Sequence, residues 1–395
     1  MSWFSDSIRA FFRKGDLLLL CLCILASGYG LVLIYSATRY LEFNRNRNMI
    51  VQTAAILLGI LVYVVMSSVD IELFTEKSWK LMLLFNAAIN VLVRTPLGVE
   101  VGGYRSWVHI PGFPVNLQPA ELAKLTFVLL LAWQMTRLGE RGISRPWSVF
   151  QLAGHTLFMF ALIAVTSGDF GMGLTYLLIF VIMAWAGGVK KRWFLLAVIL
   201  GVIAVAVIWP HISDKYFAKR ILVVVDRLRG NTETLWEQTQ GAGWQQYRSI
   251  LAIGSGGLTG LGYLQGIQTQ SVYESSLPAR ETDEIFAVCG EEFGLAGCLL
   301  LLLILAAIIL RCIWVARRAC SPQSALIAMG YAGMLMVQVG VNVGMCLYVF
   351  PVVGLTLPFI SYGGSSIVTM YAAMGVVSSI KMRSLPSWLR DRSRI

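Results

Sequence analysis

The sequence predicts an all-α polytopic membrane protein, and three observations predict it. Of 395 residues, 57% are hydrophobic and only 13% charged, with a mean hydropathy of +0.71; soluble domains carry about 25% charged residues. The apolar residues gather into long runs, and about 20 of them suffice to cross a hydrocarbon core as helix. The alternation that marks a membrane barrel is missing, so helices are the expected spanning element.

About ten transmembrane helices are expected, at 16 to 38, 47 to 67, 75 to 93, 120 to 136, 147 to 166, 169 to 188, 192 to 211, 284 to 311, 322 to 348 and 353 to 380. The first is long enough to span and has no convincing small-residue cleavage site, so it reads as a retained helix and not a secretory peptide. In the fourth, Pro119 suits the first helical turn, and Glu121 precedes Lys124 by one turn on the same face. Asp169 opens the sixth and can cap it. A polar segment, 212 to 282, separates the seventh and eighth. The whole chain, 1 to 395, reads as one membrane domain without internal repeats.

Orientation follows from Lys and Arg, which are retained on the cytoplasmic side. With the N-terminus inside, the cytoplasmic segments hold Arg9, Arg13, Lys14, Lys190, Lys191, Arg192, Arg317, Arg318 and a tail, 381 to 395, with Lys381, Arg383, Arg390, Arg392 and Arg394. The short outer connections hold only Arg39, Arg45, Arg47, Arg94 and Arg105. Both termini are therefore expected in the cytoplasm, with 212 to 282 as a large extracytoplasmic loop. The net charge of +11 sits at helix ends, where it meets anionic lipid heads; no nucleic-acid partner is expected. Seven cysteines, an odd number mostly within apolar runs, and three scattered histidines argue against a disulfide framework or a zinc site.

The loop has two parts. Residues 212 to 240 mix charge with Ile221, Leu222, Val223, Val224 and Val225, the pattern of an amphipathic piece on the membrane surface. Gly254, Gly256, Gly257, Gly260 and Gly262 then permit tight turns and close approach of the backbone to a ligand. At its end, Asp283 is an acid at the boundary between polar loop and apolar run. That position marks it as the candidate chemical centre for a lipid-linked substrate.

Ionisable groups inside a membrane are costly and point to function. Lys124 is the foremost of these, either as a functional cation or as half of a buried pair with Glu121 that positions helices. Gln338 and Asn342, one turn apart, read as interhelical hydrogen-bonding groups. Glu291 and Glu292 stand among Gly290, Gly294 and Gly297, either in the chemistry or as locally satisfied carboxylates in close helix packing.

Four blocks then carry a resemblance: Gly103, Tyr104, Arg105, Ser106 and Trp107 with 118 to 125; Asp169, Phe170 and Gly171; the glycine run leading to Thr282, Asp283, Glu284, Ile285, Phe286 and Ala287; and the stretch from Gly354 to Ser366 that includes Pro358, Phe359, Ser361, Tyr362, Gly363 and Ser365. Over nearly its whole length the chain resembles the shape, elongation, division and sporulation family of RodA and FtsW. The resemblance implies a peptidoglycan glycosyltransferase that polymerises lipid II at the outer face of the bacterial inner membrane, with a class B penicillin-binding protein as partner. It places the catalytic acid on Asp283, the intramembrane pair on Glu121 and Lys124, and substrate contacts on Arg105, Arg220, Gln118, Asp169, Ser361 and Ser365. On the chemistry, Asp283 serves as base while Lys124, Arg105 and Arg220 face a departing pyrophosphate. Whether Mg²⁺ or Mn²⁺ assists stays open.

The chain departs from the family pattern beside that acid. Glu281 stands where many members have His, Ala279 where many have Glu, and Glu284 where an apolar residue is usual. Extra acids there raise the pKa of Asp283 by like-charge repulsion or recruit a cation. Two rival readings are a transporter that flips the lipid-linked precursor and a scaffold for a transpeptidase.

Overall fold

The computed structural model describes residues 11–40, 45–101, 104–112, 116–213 and 216–384. Arg9, Gly103, Arg390, Arg392 and Arg394 lie outside the described residues.

Three helices, α1 (Leu17–Ala37), α2 (Arg45–Ser68) and α3 (Ile71–Val91), precede an antiparallel hairpin of β1 (Gly98–Val101) and β2 (Tyr104–Val108). Four more follow: α4 (Pro119–Gly139), α5 (Pro146–Ser167), α6 (Phe170–Ala186) and α7 (Lys191–Ile212). The long polar segment folds into α8 (Tyr216–Arg229), α9 (Leu235–Thr239) and α10 (Trp244–Gly256). The chain then forms α11 (Ile285–Arg318), α12 (Pro322–Cys346) and α13 (Gly364–Arg383).

Local chemistry fixes where these helices start. The first free N–H groups of a helix need acceptors. Asp16, Asp70, Asp169 and Ser321 accept from Leu19, Leu73, Met172 and Ser324 at 3.3, 3.1, 2.8 and 3.0 Å. Pro119, Pro146 and Pro322 open α4, α5 and α12, where a missing N–H leaves no bond unmade.

Among the described residues, six helices are long and apolar enough to cross a membrane: α1, α2, α5, α7, α11 and α12. The helix α6 is apolar but shorter. Near the centre, α13 is buried almost throughout and lies hard against α2: a Cβ on Gly375 would stand 2.7 Å from the Tyr63 carbonyl oxygen. Small residues allow such close approach of backbones. Arg311 locks α11 to the start of α1 through two bonds to Asp16, at 2.8 and 3.0 Å. By contrast α7 exposes Leu195, Val198, Val202 and Val205, an apolar surface suited to lipid.

Three sequence expectations change in the folded chain. The last apolar run does not form helix from residue 353; α13 begins at Gly364. Pro358 has no N–H to give, and Gly354 and Phe359 sit at φ +68° and +65°, so 353–363 forms an irregular segment held by tertiary bonds. The glycine run lies against the backbone of α11. Leu261 and Gly262 donate to the Glu291 and Glu292 carbonyls at 2.9 and 3.1 Å, and Leu295 and Ala296 donate to Gly257 and Leu258 at 3.0 and 3.1 Å. This stitch spans the break in α11 at Gly294 (φ +65°), and a Cβ at Gly260 would stand 2.1 Å from the Glu292 oxygen. Finally, α8 turns Val223 and Val224 onto Ala242 and Tyr348, so protein, not lipid, covers that part of its apolar face.

Candidate active site

A cavity of about 380 Å³ opens at the end of the bundle where α4, α6 and α13 begin. Its wall includes Gln118 from the start of α4, Asp169 from the start of α6, Arg220 from α8, Gln245 from α10, Ser106 and Trp107 from β2, and Ser366 from α13. The turn that ends in Asp283 and the irregular segment through Gly354, Thr356, Tyr362 and Gly363 close it.

That irregular segment and α12 hold the turn in place. The carbonyls of Glu281, Thr282 and Asp283 accept from Tyr362 N–H at 2.8 Å, Ser361 Oγ at 2.6 Å and Asn342 Nδ2 at 2.8 Å respectively. Asn342 donates a second bond to the Leu355 carbonyl at 2.7 Å, and Ser361 accepts from Leu357 N–H at 2.8 Å. Ala279 takes φ +49°, and its carbonyl receives Thr282 and Glu284 N–H at 3.0 and 3.1 Å. With its backbone fixed, Asp283 is half-buried in the wall. Gly354 faces it: a Cβ there would lie 3.9 Å from Oδ2.

Burial raises the Asp283 pKa to about 6, helped by the charges of Glu281 and Asp169 and opposed by Arg220. Glu281 thus adds to the rise, but burial is its largest cause. A carboxyl so placed is ionised at neutral pH yet basic enough to take a proton from a hydroxyl in the transition state. Among the described residues, no three His, Cys, Asp or Glu side chains form a metal-holding group. Asp169 and Asp283 share the cavity, and one or two carboxylates can hold a hydrated Mg²⁺ that also binds phosphate oxygens.

The structure separates the other expected site residues. Lys124 Nζ and Glu121 Oε1 pair at 2.6 Å, with 0% and 2% of their side chains exposed, and neither lines the cavity. They lie behind it, where their charges act on Asp169. Arg105 is not in the wall either: it donates to the Thr95 carbonyl at 2.9 Å, so the hairpin ties back to the end of α3 while Ser106 and Trp107 face the cavity. Ser361 is buried and acts on the backbone. Ser365 lines a separate apolar cavity of about 350 Å³ with Ile50, Ala54, Leu58 and Leu122; successive helical residues point about 100° apart, so Ser366 takes the polar side.

Glu291 and Glu292 are locally satisfied. Glu291 accepts from Gln268 and Thr269 N–H at 2.8 and 2.7 Å, and Glu292 from Ser36 Oγ at 2.6 Å and Gln270 Nε2 at 2.7 Å. Sequence reasoning placed Trp107, Thr356 and Tyr362 in the motif blocks without giving them a site role, and it passed over Gln245. It also took Asn342 for an interhelical group, although Asn342 joins the two loops that build the wall. Its spacing from Gln338 was the available signal; nothing local marked Gln245.

A helical membrane bundle with a carboxylate-bearing polar cavity at one end is the class that fold and site define. The chain belongs to the FtsW, RodA and SpoVE family of cell cycle proteins, whose model matches residues 16–385. It is 32% identical over 326 residues to the peptidoglycan glycosyltransferase MrdB of Escherichia coli (strain K12), covering 82% of this chain and 83% of that one. Its fold is similar to a chain of a solved structure on the coordination of polymerization and crosslinking by a peptidoglycan synthase complex. The TM-score is 0.74 and the identity 27%, covering 96% of this chain and 99% of that one. The rod shape determining protein RodA of Thermus thermophilus matches with a TM-score of 0.64 and 26% identity, covering 94% of this chain and 98% of that one.

Proposed function

We infer that this chain is a peptidoglycan glycosyltransferase that polymerises lipid II into glycan strands. The single observation that carries the mechanism is Asp283, held by three backbone anchors in the wall of a polar cavity at the end of an apolar bundle. In the proposed reaction Asp283 takes the proton of the acceptor hydroxyl as its oxygen bonds to the anomeric carbon of the donor. The bond from that carbon to the lipid pyrophosphate breaks, and the pyrophosphate leaves with the electron pair. Arg220, in the wall, is the cation best placed to meet the leaving group; Lys124 supports the site from behind through Asp169. Arg105 acts through the hairpin that presents Ser106 and Trp107.

The charge pattern and the helices support the finer arrangement of this reading. Ten helices cross the inner membrane, both termini are cytoplasmic, and the cavity opens on the outer face with α8, α9 and α10 around it. A class B penicillin-binding protein is the proposed partner, as the synthase complex match supports. Purified protein given labelled lipid II is expected to yield glycan polymer; lipid movement across vesicles with no polymer would overturn the enzyme reading.

Asn342→Leu tests the anchoring. It strips the donor from the buried Leu355 carbonyl, which costs about 1–3 kcal/mol for a group left unsatisfied, and leaves the part-buried Asp283 carbonyl only the long contact from Cys346 Sγ at 3.6 Å. A misplaced base also slows turnover by on the order of a hundredfold. Thermal unfolding and polymerisation rate measure the two effects, and an unaltered rate removes Asn342 from the account.

A further inference from the structure

A second cavity, of about 320 Å³, lies on the other side of the Asp283 turn. It is lined by Trp244, Ser275, Leu277, Pro278, Arg280 and Glu281, together with Ala279, which also lines the first cavity. The two are divided by one turn and by the first residues of α10, where Trp244 faces the second cavity and Gln245 the first. Ala279 between them is exposed and small, so a chain-like ligand can pass from one to the other over a low sill. The floor is rigid: Arg280 is 2% exposed and donates to the Ser271 carbonyl at 2.8 Å. Its size falls within the range of about 300–1,000 Å³ for small-molecule sites.

We propose that this second cavity, with Trp244 as a stacking face and Glu281 as a hydroxyl acceptor, is a subsite for the glycan strand beyond the reacting sugar. The proposal rests on the glycosyltransferase reading and adds where the polymer lies. A half-buried indole gives a rigid apolar face for the C–H side of a sugar ring, and an ionised carboxylate accepts hydroxyl and amide N–H groups. Glu281 belongs to the turn that ends in Asp283, and Trp244 opens α10 beside it. A strand held there stays within reach of Asp283 between additions, so the subsite governs product length.

The test is a calorimetric titration of the purified full-length chain with a lipid-free oligomer of alternating N-acetylglucosamine and N-acetylmuramic acid. Wild type and Asp283→Asn are expected to bind it alike. Trp244→Ala removes the stacking face and Ser275→Phe fills the cavity without removing a contact, and each is expected to weaken binding on the order of tenfold. Trp244→Phe keeps a ring and is expected to bind within a few-fold of wild type. Polymer made by Trp244→Ala and Ser275→Phe should be shorter than wild-type polymer. Equal affinity in wild type, Trp244→Ala and Ser275→Phe, or absence of binding to wild type, overturns the subsite. Undiminished polymerisation by Asp283→Asn overturns the base assignment alone, because the titration needs no chemistry.

Discussion

Asp283→Asn is expected to abolish polymerisation, by about 10²–10⁴-fold for loss of a general base, while leaving the fold intact. The amide fits the same space, and the bonds that place residue 283 go to its carbonyl, not its side chain. Among the described residues the carboxylate itself has no hydrogen-bond partner. The sharper readout is pH. A base works only when deprotonated, so a pKa of about 6 makes the wild-type rate fall as pH drops through that value. Glu281→Gln removes a like charge that disfavours ionisation, so the Asp283 pKa falls and the acid limb moves to lower pH. Arg220→Gln removes the opposing cation, which moves the limb the other way. A limb that stays in place in both variants would show that Asp283 is not the titrating base.

Breaking the buried pair is expected to have the largest effect on stability. Lys124→Met leaves Glu121 without its partner in a site that is 2% exposed, and breaking a buried pair by removing one partner costs about 3–5 kcal/mol. The double change Glu121→Leu with Lys124→Met removes both charges and is expected to regain most of that loss, because apolar packing replaces a buried pair at little cost. Thermal unfolding in detergent measures both. Polymerisation by the double variant then separates the roles. A stable but inactive protein shows that the pair's field at Asp169 matters to the reaction; a stable and active one reduces it to a helix-positioning contact.

Periodic and local features were legible in the sequence. Long apolar runs mark helices because only burial in lipid or core tolerates them, and Pro119 and Asp169 start helices through bonds that reach no further than one turn. Glu281 as a like charge on Asp283 was legible for the same reason, since two residues in one turn stay close in any fold. The glycine run was visible, but its partner was not. Nothing in its spacing says that Glu291 and Glu292, distant by about a whole loop, supply the carbonyls it meets.

The sequence by itself determined a polytopic helical bundle, an acid where a polar loop meets an apolar helix, and a Glu121–Lys124 pair one turn apart, because each depends on composition or on neighbours along one helix. Tertiary structure alone decided that Arg105 ties the hairpin to Thr95 while Arg220 enters the wall, that Ser366 and not Ser365 faces the cavity, and that Asn342 grips the Asp283 backbone. Those choices depend on how separate segments meet: Asn342 lies 59 residues from Asp283 and Arg220 lies 132 from Val352, while Arg105 folds back on Thr95 across only 10. Hydrogen-bonding capacity is written in the residue, but its partner is selected only when packing removes every other one.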